Sequence, residues 1–153
     1  MTTREIDTKV AISTSLLPSS RTTNNTTVAG TGVDLRGFSA AEAVVHVGTY
    51  NETVSGAFSE FSLQESDDDT TYTDVANADL TDTVAATCTV TGASTTGVFG
   101  KTSSTSNDEV VFKTGYKGTK RYIRVKENAE KNHNVGLVSS AVIIKAIPNS
   151  LPQ

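Results

Sequence analysis

The chain has no tryptophan, one cysteine, one methionine and three prolines among its 153 residues. Each shortage removes a class of reading. Cys88 cannot close an internal disulfide, and with only His46 and His133 there is no spaced Cys/His set for a structural metal. Stability must then come from packing and strand pairing. The lack of tryptophan removes the broadest aromatic platform for stacking on a sugar. No stretch approaches the roughly 20 apolar residues that span a bilayer. The opening residues Met1-Thr2-Thr3-Arg4-Glu5-Ile6-Asp7 interleave charges, unlike a secretory leader. The expected setting is a cytosol-like compartment, with no membrane partner. A surplus of positive charge is missing too. Thirteen basic and 17 acidic side chains leave a net charge of −4, so nothing draws nucleic acid from a distance and no nucleic-acid partner is expected.

What is abundant is threonine and serine, set in alternation with apolar residues. Threonine suits strands and weakens helices, where its branched side chain loses χ1 freedom. Period-two alternation recurs along the chain and predicts half-buried strands in one all-β domain. Residues 41–47 are mostly apolar between Gly37 and Gly48, as a core strand should be. Residues 57–65 put Ala57, Phe61 and Leu63 on one face and Glu60, Ser62 and Gln64 on the other. Ser66-Asp67-Asp68-Asp69 then makes a turn, with residues 71–75 returning as a hairpin partner. Val84, Ala86, Cys88 and Val90 alternate with Ala85, Thr87, Thr89 and Thr91, predicting a strand with Cys88 toward the core. Residues 92–107 are rich in Gly, Ser and Thr, broken only by Val98 and Phe99, and read as a long loop or exposed hairpin. Strands are expected at 109–113 and 120–126, then a hydrophilic separator at 127–134. The most apolar strand, 138–147, is closed by Pro148 and Pro152.

The N-terminal stretch differs. One strand at residues 9–13 is followed by Leu16-Leu17-Pro18 and a polar run to Thr27, which divides the chain into an arm, 1–27, and a β-sandwich domain, 28–153. About eight strands with turns between them, and no fixed repeat, fit a jelly-roll-like sandwich.

The chemical motifs fail on spacing or context. Gly97-Val98-Phe99-Gly100-Lys101-Thr102 resembles the end of a phosphate loop, but Thr95 stands where the first glycine belongs and no helix is expected to follow. Asp67, Asp68 and Asp69 do not follow the alternating carboxylate pattern of a calcium loop, and a solvated turn accounts for them. Lys113, Lys117, Lys120, Arg121, Arg124 and Lys126, interleaved with Tyr116 and Tyr122, form the basic concentration of the chain. On an acidic protein it reads as a solvated strand face meeting acidic neighbours. Neither histidine has a catalytic context, and there is no nucleophile elbow or metalloprotease motif. The expectation is a protein that is not an enzyme, with no catalytic residues, metal or cofactor.

Three passages in order carry a resemblance: Thr31-Gly32-Val33-Asp34-Leu35-Arg36-Gly37-Phe38 leading into Val44-Val45-His46-Val47-Gly48; Leu63-Gln64-Glu65-Ser66-Asp67-Asp68-Asp69-Thr70-Thr71-Tyr72-Thr73-Asp74-Val75; and Gly115-Tyr116-Lys117-Gly118-Thr119-Lys120-Arg121-Tyr122-Ile123-Arg124-Val125. This order resembles small head proteins of tailed bacteriophages, of the capsid decoration or cement type. The middle passage also resembles the hairpin of galactose-binding-like jelly rolls, with Asp69 in place of a turn glycine and Tyr72 in place of a tryptophan. The first resemblance implies a virion protein, made in the host cytoplasm, whose partners are the major capsid protein and further copies of itself. The second implies a carbohydrate- or host-surface-binding module. Contact with a partner is expected from residues 1–27 and 92–107, with Leu16, Leu17, Val98 and Phe99 as the apolar anchors. Leu16 and Leu17 could equally cover one end of their own sandwich.

Overall fold

The computed structural model describes residues 9–22, 25–50, 54–103, 109–131, 133 and 136–148. Among these there is no α-helix, and the strands form two antiparallel sheets packed face to face, the expected all-β, jelly-roll-like sandwich. Sheet A has the order β1-β10-β4-β8, built from β1 (Val10–Arg21), β10 (Leu137–Pro148), β4 (Phe38–Tyr50) and β8 (Val111–Tyr116). Sheet B runs β2-β9-β5-β6, from β2 (Thr26–Ala29), β9 (Tyr122–Glu130), β5 (Phe58–Ser66) and β6 (Thr73–Asp74). Two further strands join its flanks: β3 (Val33–Asp34) pairs β9, and β7 (Val98–Thr102) pairs β5.

Alternation decides what each strand buries. Ala43, Val45 and Val47 of β4 and Ala141 and Ile143 of β10 point inward, against Phe61 and Leu63 of β5 and Ile123 and Val125 of β9. All are essentially inaccessible to water. Phe112 from β8 packs on Phe61 with ring centroids 6.1 Å apart. These side chains fill the space between the sheets and supply the main driving force for folding.

Several segments differ from the sequence expectation, each for a local reason. The N-terminal strand is longer than 9–13: within the segment expected as an arm, residues 10–21 form β1 and pair with β10 along their length. Pro18 is tolerated because β1 is an edge strand and its register shifts between Leu16 and Ser19. Residues 1–8, 23 and 24 lie outside the described residues. Residues 127–130, expected as a separator, continue β9, and Glu127 faces the interior of the sandwich. Its carboxylate accepts bonds from Arg21 Nε at 2.9 Å and Ser139 Oγ at 2.7 Å, tying β9 to both β1 and β10 across the core. Val98 and Phe99 lie in β7 rather than in an exposed loop, and residues 84–91 form no strand at all.

Candidate functional site

The sandwich has two outer faces, and they are opposites. On sheet B, β5 sends Glu60, Ser62 and Gln64 outward, where the alternation predicts solvent. They are buried instead, because the chain between β6 and β7 crosses above them. The Glu60 carboxylate, 0% exposed, accepts the Thr87 amide at 3.0 Å, the Cys88 amide at 3.2 Å and the Thr87 hydroxyl, while Lys101 Nζ lies 3.4 Å away. Glu130 does the same one residue later, accepting the Thr89 amide at 2.7 Å and its hydroxyl at 3.0 Å. Nearer β7, the Ser94 hydroxyl is bonded to Ser62 at 2.8 Å and donates to Asp74 at 2.9 Å, and the Gly97 amide donates to Asn77 Oδ1 at 2.8 Å. Carboxylates rising from the sheet thus take the place of a neighbouring strand for residues 87–89. That is why a clean alternation produced no strand: its amides are satisfied by side chains from below rather than by a backbone ladder beside it.

Electrostatics agree with this geometry. The amide of Thr89 is the largest influence holding the Glu130 carboxyl below the usual range. Burial pushes the Cys88 thiol up to about 11, and the nearby Glu130 and Glu60 carboxylates reinforce it. A thiol held in that form is a poor nucleophile.

The motif residues are occupied by one another. Lys120 reaches Asp67 at 2.5 Å, and Arg121 Nη2 reaches Asp34 at 2.7 Å. Arg124 donates to Gln64 Oε1 and lies 3.8 Å from the centre of the Tyr72 ring, while Lys126 donates to the Gly92 carbonyl. The basic run is therefore spread over several local partners. Asp68 accepts the amides of Thr71 at 2.8 Å and Thr70 at 2.9 Å, which, with the Ser66 hydroxyl, bring its carboxyl down to about 2. Asp69 accepts from Tyr72. Among the described residues, no three His, Cys, Asp or Glu side chains gather as metal ligands would. The residues of the phosphate-loop likeness lie mostly in β7, an element whose amides pair with β5. A depression of about 360 Å³ lies between residues 35–41 and 116–121, but the bases on its rim, Arg36, Arg121 and Lys120, already face Asp34 and Asp67.

Sheet A's outer face mixes apolar and polar side chains, and none of the described residues buries it. Adjacent strands place Ile12, Ile144 and Glu42 in one row, and Thr14, Val142, Val44 and Lys113 in the next. A third row holds Ser140, His46 and Val111. None of these side chains is buried, and Ile12 is 66% and Val111 56% exposed. The charged residues in these rows, Glu42 and Lys113, approach each other at 3.4 Å. Such a face offers exposed apolar side chains interspersed with polar ones, which can contribute contact area to a partner surface.

The anchors expected from the sequence do not come together. Leu16 is 2% exposed and belongs to the core, whereas Leu17 beside it is 74% exposed at the irregularity of β1. Val98 and Phe99 are buried in β7, Phe99 within the core cluster. Burial puts Leu16, Val98 and Phe99 out of a partner's reach in this fold. The sequence reading missed Ile12, Val44, Val111, Val142 and Ile144. Part of their signal was present, since residues 138–147 carry apolar side chains at both parities and Val44 breaks the alternation of 41–47, but it reads equally well as a strand covered on both sides.

No family model matches the chain, and no curated protein matches its sequence. Among solved structures it is similar to the Clostridium thermocellum N-terminal endo-1,4-beta-D-xylanase 10B, CBM22-1–GH10 modules, complexed with xylohexaose. The identity is 14% and the TM-score 0.38, over 76% of this chain and 18% of that chain.

Proposed function

We propose that this chain is a non-enzymatic structural protein of a bacteriophage particle, binding the outside of the capsid shell as a decoration or cement protein and stabilising it. The observation that supports this best is the outer face of sheet A, where Ile12 and Val111 are exposed and none of the described residues buries the sheet, on a sandwich whose other face is closed by its own chain. A sandwich with exposed apolar side chains on one sheet face suits repeated protein–protein contact better than capture of a small molecule in a pocket. The ordered likeness of the three passages to phage head proteins supplies the setting, with the major capsid protein as partner. Each copy need contribute only modest binding energy, because many copies on one shell add their effects.

The test is co-sedimentation of the purified protein with expanded capsids that lack it. Saturable pelleting, together with a raised disruption temperature of the decorated shells, is the expected result. Failure to pellet, with selective binding to a glycan array instead, would replace this reading by a carbohydrate- or host-surface-binding module.

A further inference from the structure

We infer that the cleft between β1 and β2, at the edge of the sandwich, binds a primary carboxamide, the end group of an asparagine or glutamine side chain. This goes beyond the capsid reading and concerns a different part of the molecule. β1 ends sheet A and β2 ends sheet B, and between them lies a cavity of about 180 Å³. It is lined by residues 19–21 of β1, Thr26 and Val28 of β2, and Glu127 and Ala129 of β9.

Two groups in that lining are incompletely used. Glu127 is 1% exposed, and its Oε2 accepts both Arg21 Nε and Ser139 Oγ, while Oε1 meets no donor among the described residues. A buried carboxylate oxygen without a donor is costly, so a guest that supplies one is favoured. Arg21 gives the carboxylate only its Nε, and its terminal nitrogens make no bond among the described residues. Charge then selects the guest. Arg21 and Glu127 neutralise each other, so a carboxylate drawn to Arg21 is repelled by Glu127, and an ammonium drawn to Glu127 is repelled by Arg21. A neutral group with a donor and an acceptor side by side suits both. The NH₂ of a primary carboxamide donates to Glu127 Oε1 while its carbonyl oxygen accepts from Arg21. A hydroxyl does both from a single atom, whereas the carboxamide spreads them over two, as the ion pair does. Size agrees as well. The cavity far exceeds the roughly 10–15 Å³ that one water needs and falls short of the roughly 300 Å³ at which sites for drug-sized ligands begin, so it admits an end group on a short stem. Val28 and Ala129 give that stem an apolar wall.

The test titrates the isotope-labelled full chain, followed by backbone amide NMR, with four probes of similar shape: propionamide, propionate, propylammonium and propanol. Each is taken to about 200 mM, a range suited to the weak binding of so few atoms. Propionamide should shift the amides of Arg21, Thr26, Val28 and Glu127 saturably, and bind about tenfold more tightly than the other three. Val28→Phe fills the cleft from a partly buried position on an edge strand without touching the ion pair, and should abolish the shifts while a thermal melt confirms its fold. Shifts that never saturate with propionamide mean that an ordered water only occupies the cleft, and they overturn the inference. Equal or tighter binding of another probe overturns it too, as does undiminished binding by folded Val28→Phe; the parent series decides the matter even where that variant unfolds. Pelleting with capsids is scored separately. A chain that takes propionamide but does not pellet keeps the cleft and loses the proposed function, and one that pellets without taking propionamide does the reverse.

Discussion

Glu60 holds a segment of chain to a sheet with one carboxylate. It contacts the amides of Thr87 and Cys88, the Thr87 hydroxyl and Lys101, and it has no exposure to water. Replacing it with alanine leaves the two amides without their acceptor and Lys101 without its anion, though Lys101 keeps Thr87 and the Phe58 ring, so Glu60→Ala should lower stability by about 3 kcal/mol in urea unfolding. Hydrogen exchange at Thr87 and Cys88 should accelerate in the same variant, and unchanged exchange would show that other contacts hold the segment. Asp34 acts in a different way. The Arg121 guanidinium is the main cause that brings its carboxyl from the ordinary value near 3.8 down to about 2, against a smaller opposing effect of burial. A carboxyl lowered on folding contributes stability above its unfolded pKa, and that contribution is lost as the pH falls from about 4 to about 2. Both partners are at least a third exposed, so solvent screening keeps the contribution under about 1 kcal/mol. Thermal melts of Asp34→Asn and the parent should therefore converge as the pH drops through that window, and parallel curves would contradict the assignment.

At the scale of elements, the entry into β7 depends on Gly97. Its φ is +70°, and a Cβ there would come within 2.8 Å of the Val75 carbonyl and 2.9 Å of the Leu63 carbonyl. Gly97→Ala should cost about 1–3 kcal/mol, because both obstacles are backbone and cannot rotate aside. A chemical-denaturation curve that overlays the parent would show that the turn can reorganise. Strand β5 and the first half of β9 were legible because a period of two survives in their sequence, and β4 and β10 because each is an apolar run of strand length. What was illegible depended on distant chain. Glu60, Ser62 and Gln64 read as solvent-facing until residues 76–97 cover them, and Glu127 reads as part of a loop until Arg21 and Ser139 reach it inside the core. Leu16 and Leu17 are neighbours in sequence with opposite fates, set by an irregular register in β1 that no local pattern announces. The candidate face was half legible: β10 carries apolar side chains at both parities, but sequence cannot say which side packs against the other sheet.

The molecule as a whole is a sandwich closed over its sheet B face by its own chain, while none of the described residues buries the outer face of sheet A. Anything that binds only the folded form stabilises it by mass action. Expanded capsids that bind the chain should therefore raise its unfolding temperature, and an unchanged temperature would count against the proposed partner. The strand order of sheet A has a further consequence for how the protein is made. β10 follows every other strand in the chain, yet it lies between β1 and β4. While the polypeptide is still emerging from the ribosome, β4 can pair only with β8 and β1 has no partner, so sheet A cannot assemble in order of synthesis. Its completion waits for β10, the last of the described strands, to slot in between them, so its outer face comes into being only after residue 148 has left the ribosome.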